Sequence, residues 1–177
     1  MKKNAPVILA AIGLAAAALA LSPAPKERTY VGADACKLCH KAELQGRQFV
    51  IWEESLHAKS FANLGTAKAA EIGKAMGVAV PADSPQCLGC HSPLAAKAPE
   101  LKAEGVTCEV CHGPGSAYKK LNIMMDRQKA AQNGLVLYNA EPSAIQAHCL
   151  KCHQNPHGNP FDFGAAWDKV KHPIPGK

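Results

Sequence analysis

Bulky aromatic side chains are scarce in this 177-residue chain: Phe, Trp and Tyr together make up 5% of it, with two Trp and four Phe. A chain so poor in large apolar groups struggles to build a core from protein alone, which implies that something else fills the middle. Long apolar runs are missing too, apart from one at the N-terminus. No later segment approaches the ~20 residues that a membrane-spanning helix needs. A strong charge of one sign is also absent. The formal net charge is +6, falls to +4 without Lys2 and Lys3, and comes from lysines scattered along the chain. Such a balance excludes a nucleic-acid-binding surface.

The N-terminal run follows Lys2 and Lys3 and extends from about Val7 to Leu21, the layout of an export signal. Ala18-Leu19-Ala20 offers a cleavage site, although Pro23 and Pro25 sit close to it, and an uncleaved N-terminal membrane tether is the other reading. Residues 1–20 are therefore expected to be the signal and residues 21–177 a single domain. On either reading the domain lies outside the cytoplasm, in the periplasm or beyond the cell.

What is abundant is cysteine and histidine, eight of each. A five-residue unit occurs four times: Cys36-Lys37-Leu38-Cys39-His40, Cys87-Leu88-Gly89-Cys90-His91, Cys108-Glu109-Val110-Cys111-His112 and Cys149-Leu150-Lys151-Cys152-His153. C-x-x-C-H is the attachment sequence of c-type haem. Its thiols form thioether bonds to the porphyrin, and its imidazole reaches the iron as proximal ligand. Four disulfides or two Cys₄ zinc sites would also use eight cysteines, but neither explains a histidine after every pair. The expected cofactors are four covalently bound haem c. With the signal removed, 157 residues serve four haems, about 39 each, so the haems must lie close together and supply the missing core.

His40, His91, His112 and His153 are the expected proximal ligands. His57, His148, His157 and His172 remain, and four haems have four distal positions. His57 shares a helical stripe with Val50, Phe61 and Leu64, on a helix ending near Gly65. His172 follows a stripe of Phe163, Trp167 and Val170. His148 directly precedes its own motif, so it is expected to serve a neighbouring haem. His157 sits in the loop "QNPHGNP" and would likewise reach to another haem or another subunit. Met76, Met124 and Met125 fit helix packing better than ligation.

The order "YVGADACKLCHKAE", "SLHAKSF", "CLGCH", "GVTCEVCHGPGSAY", "CLKCHQNPHGNPFDFGAAWDKVKHP" resembles the multihaem c-type cytochrome family of the tetrahaem cytochrome of ammonia oxidisers, an acceptor of electrons from hydroxylamine oxidoreductase. The resemblance covers roughly residues 30 to 173. It implies a mostly helical, loop-rich fold with little or no β, wrapped round four haems in stacked and angled pairs. It further implies that His57 is distal to the third haem and His172 to the fourth; in the tetrahaem cytochrome of ammonia oxidisers the second haem is five-coordinate. Two departures stand out. Tyr118 follows Gly113-Pro114-Gly115-Ser116-Ala117 where relatives often have a ligand His for the first haem, and His157 has no counterpart. His148 and His157 could serve the first and second haems in either order.

Along the chain, Thr66 is expected to cap a short helix that Gly77 stops. Tyr118 to Asn133 reads as one helix. "GLVLYN" reads as a short strand or extended segment, and Pro142 opens the helix carrying the fourth motif. The second and third motifs, 16 residues apart, suggest neighbouring haems. The leading functional expectation is a non-enzymatic electron carrier between redox partner proteins, quinol-linked or multihaem donors and acceptors. A small reductase with one open haem acting on a nitrogen or sulfur species is the alternative. It would need acid–base residues nearby, and no cluster of His, Arg and Tyr is left over once the ligands are assigned. A further alternative is a homo-oligomer or extracellular filament, with His157 or His172 completing a haem in the next subunit.

Overall fold

The computed structural model describes residues 27–138, 141–154 and 157–174. The expected export signal lies outside them. Among the described residues the chain is helical and contains no strand, and no helix is long and apolar enough to cross a membrane.

The described residues form ten short α-helices: α1 Asp34–His40, α2 Gln48–Glu54, α3 Ser60–Asn63, α4 Ala67–Ala75, α5 Pro85–His91, α6 Cys108–His112, α7 Leu121–Met124, α8 Arg127–Gln132, α9 Pro142–Cys149 and α10 Phe163–Val170. The longest, α4, has nine residues. Helices this short are unstable alone in water and are held by tertiary contacts. The protein's own core is thin: Phe49, Leu64, Leu94, Tyr118 and Ile145 are its larger buried apolar residues. Polar groups therefore carry much of the tertiary organisation.

Local chemistry explains where several helices start and stop. The Thr66 hydroxyl accepts from the Ala69 amide at the start of α4, and Gly77, at φ +72°, ends it. Pro142 occupies the first turn of α9, where its missing N–H costs nothing. The Asp162 carboxylate caps α10 through the Ala165 amide.

Two expected helices are broken. The stripe from Val50 to Leu64 predicts one helix, but the chain leaves α2 at Ser55, whose backbone is extended. The Ser55 hydroxyl donates to the Trp52 carbonyl and accepts from the His57 and Ala58 amides. A serine that satisfies neighbouring backbone groups in this way competes with the helix. His57 consequently sits in a turn between α2 and α3. The segment from Tyr118 to Asn133 is likewise divided. Asp126 is extended, and its carboxylate caps α8 through the Lys129 amide. "GLVLYN" starts in the turn after α8 and forms no strand over its described part. It pairs with the third motif through Val136, whose amide donates to the His112 carbonyl at 2.9 Å.

Candidate haem centres

Each C-x-x-C-H unit sits on a helix or its end. The first three lie within α1, α5 and α6, and the fourth begins at the last residue of α9, so Cys152 follows in a turn and His153 just after it. None of the eight cysteines is disulfide-bonded. The thiols meet in twos across motifs rather than in fours. Cys36 and Cys108 are neighbours, and their pairing pushes Cys36 down and Cys108 up. Burial, and then the neighbouring Cys90, pushes Cys152 up to about 11. Burial, and then Cys149, pushes Cys111 up to about 11. These contacts order the motifs in space as first, third, fourth, second. Closeness along the chain suggests that the second and third motifs are neighbours, and Ser60 ties them: its hydroxyl donates to the His91 carbonyl and accepts from the Val106 amide, two residues before Cys108.

The first and third motifs are bolted together by Glu109, a residue inside the third. Its carboxylate is 2% exposed. Oε2 accepts from the Val31 and Gly32 amides at 2.9 and 2.8 Å, and Oε1 accepts from Gly115 at 2.6 Å. Gly115 must be small here, because a Cβ would lie 3.0 Å from Glu109 Oε1 and 2.9 Å from Val31 Cγ2. Glu104 adds a bond from the Ala33 amide just before α1. Sequence reasoning missed Glu109. The signal for it was the glycine-rich turn "HGPG" directly after the motif.

The motif histidines are oriented through Nδ1. His40 Nδ1 lies 3.3 Å from Gln48 Oε1. His91 Nδ1 lies 3.0 Å from the Ser60 carbonyl, and His112 Nδ1 lies 3.2 Å from the Val136 carbonyl. A metal-ligating imidazole usually donates its second N–H in this manner, which fixes the tautomer and turns Nε2 outward. His153 is oriented by stacking on Phe161, with ring centroids 4.4 Å apart.

Three of the remaining histidines each face a motif histidine from a distant part of the chain. His57 and His153 have ring centroids 6.1 Å apart, His91 and His157 6.3 Å, and His112 and His172 5.9 Å. Two imidazoles on opposite sides of one metal, with metal–nitrogen bonds of about 2.0–2.1 Å, set their centroids about 6 Å apart. The residues therefore fit iron held between two imidazoles. Burial lowers the pKa of His57, His112, His153 and His172, favouring the neutral imidazole that binds metal. The partners differ from those the resemblance implies: His57 faces the fourth motif and His172 the third. The break at Ser55 sets His57 in a turn whose carbonyl is held by Ser60 and Val106, and that turn faces His153.

His148 faces no motif histidine. Its ring stands edge-on to Tyr138, with centroids 5.5 Å apart, and its Nδ1 is 3.4 Å from Lys151 Nζ. The Tyr138 hydroxyl donates to the Cys111 carbonyl. Tyr118 is 4% exposed and its hydroxyl donates to the Gly113 carbonyl at 2.7 Å, so it is a packed residue that closes the turn after the third motif.

A family model described as cytochrome c554 and c-prime matches residues 35–113, a span holding the first three motifs and His57. The match is to cytochrome c554. Among individual proteins, cytochrome c-554 of Nitrosomonas europaea is 27% identical to this chain, over 87% of the chain and 72% of the relative. No solved structure matches significantly. The likeness is to c-type cytochromes, proteins of electron transport with covalently bound haem c. The fourth motif, His148, His157 and His172 lie beyond the residues matched by the family model.

Proposed function

We propose that this chain is an exported tetrahaem cytochrome that passes electrons between redox partner proteins in the periplasm or outside the cell. The observation that carries the reading is the set of three imidazole pairs 5.9–6.3 Å apart, each joining a motif histidine to one from another part of the chain. Bound haem c supplies a one-electron ferric–ferrous couple. The cysteine pairs 36/39, 87/90, 108/111 and 149/152 hold four haems. His40, His91, His112 and His153 are the proximal ligands, and His157, His172 and His57 complete the second, third and fourth sites. The protein orients these imidazoles through Ser60, Val136 and Phe161. It also sets the spacing of the attachment points in the order first, third, fourth, second, so the first and second motifs form the two ends of the array.

Mass spectrometry and haem quantitation of the exported protein test this reading. Four haems per chain are expected, with at least three low-spin in the electron paramagnetic resonance spectrum. Fewer than four haems, or two or more high-spin haems, would refute it.

A further inference from the structure

Six of the eight histidines form the three pairs described above, leaving His40 of the first motif and His148. His40 is oriented by Gln48 as a proximal ligand is, but no histidine ring faces it. His148 is held elsewhere. The Lys151 ammonium has only donors to offer and lies against the Nδ1 lone pair, while the Val110 carbonyl of the third motif faces the same ring. Tyr138, on which the ring packs, is pinned to the third motif through Cys111. Two further kinds of donor also turn away. The Tyr118 hydroxyl is bonded to Gly113, and Met76 and Met125 point into solvent. The first motif itself is open to solvent: Leu38, between its cysteines, is 88% exposed, and Cys39 is exposed.

Taking the four-haem reading above as given, we propose that the haem at the first motif has His40 as its sole protein ligand and binds a small neutral diatomic molecule in its second axial position. At the second motif, by contrast, His157 lies 6.3 Å from His91. A ligand that accepts electron density from ferrous iron, with no charge to be stabilised, needs no acid–base residues around it. That suits a motif with none left over.

The test is a carbon monoxide titration of the reduced holoprotein, with electron paramagnetic resonance of the oxidised form. One carbon monoxide per chain and one high-spin haem in four are expected. His148→Ala should leave both unchanged, whereas His157→Ala should raise carbon monoxide binding to two per chain. Gln48→Glu assigns the site: a carboxylate accepting from His40 Nδ1 makes that imidazole more basic, so the iron–histidine stretch in the resonance Raman spectrum of the five-coordinate ferrous haem should rise in frequency. Four low-spin haems with no carbon monoxide bound would overturn the proposal while leaving the electron-transfer reading intact. An unmoved stretch in Gln48→Glu would also overturn it, as would new high-spin haem in His148→Ala. Fewer than four haems per chain would remove the four-haem reading itself and this proposal with it.

Discussion

Replacing Glu109 by glutamine keeps the shape of the side chain and inverts its hydrogen-bonding character on one side. The carboxylate accepts from three backbone amides, those of Val31, Gly32 and Gly115. None of the salt bridges among the described residues involves it. Every polar group facing it is a donor. A glutamine oxygen can take the Oε2 position and keep the Val31 and Gly32 bonds, but its NH₂ then points at the Gly115 N–H, where the present contact is 2.6 Å. One bond to a charged acceptor is lost, at about 1.5–3 kcal/mol, and the remaining two weaken toward neutral strength. Relief of burying a charge offsets part of this. The expected loss is about 2 kcal/mol, read as a lower denaturant midpoint at unchanged slope. Glu109→Ala strands all three amides and should cost about 3–5 kcal/mol. Hydrogen exchange locates the effect: the amides of Val31, Gly32 and Gly115 should lose protection before those of α4 or α5. A Glu109→Gln protein within about 0.5 kcal/mol of the parent, with those three amides still protected, would refute the reasoning.

Other perturbations test other contacts. His57→Ala and His172→Ala should each convert one low-spin haem to high-spin, and the double variant should convert two, as counted by electron paramagnetic resonance. Gly105 has φ +67°, and a Cβ there would lie 2.5 Å from Ser60 Oγ and 2.7 Å from the His57 carbonyl. Gly105→Ala should therefore destabilise the fold by about 1–3 kcal/mol and disturb the His57 haem first, seen as partial high-spin character. Among the described residues, the buried Thr107 hydroxyl has no hydrogen-bond partner. Thr107→Val, which keeps the volume and removes the unsatisfied group, should be neutral or stabilising by up to about 1 kcal/mol in a denaturant titration. Tyr118→Phe removes only the bond to Gly113 and should cost about 1 kcal/mol while leaving the haem spectrum unchanged.

Much of the architecture is written in short-range patterns. The four motifs, the Thr66 cap with Gly77 beyond it, Pro142 at the start of α9 and the helix before His172 each depend on residues within a few positions of one another. The misses arise where a polar side chain overrides a hydrophobic stripe. Ser55 and Asp126 each bond to backbone amides and split an expected helix, and a stripe of apolar residues contains no trace of that competition. Which imidazole faces which is a long-range property. His57 meets His153 across nearly a hundred residues, so neither helix periodicity nor likeness to a relative assigns the pair. Glu109 was hidden for a different reason: a charged residue between two motif cysteines reads as a solvent-facing filler, and only the neighbouring backbone of Val31 and Gly115 makes it a buried clamp.

The spatial order of the motifs has a consequence for how the chain matures. Synthesis runs from the first motif to the fourth, yet the fourth lies in the interior of the series and links the third to the second. On the four-haem reading, loss of the C-terminal portion would therefore take away an inner attachment point together with His157 and His172, so the second and third motifs would also lose the imidazoles that face them.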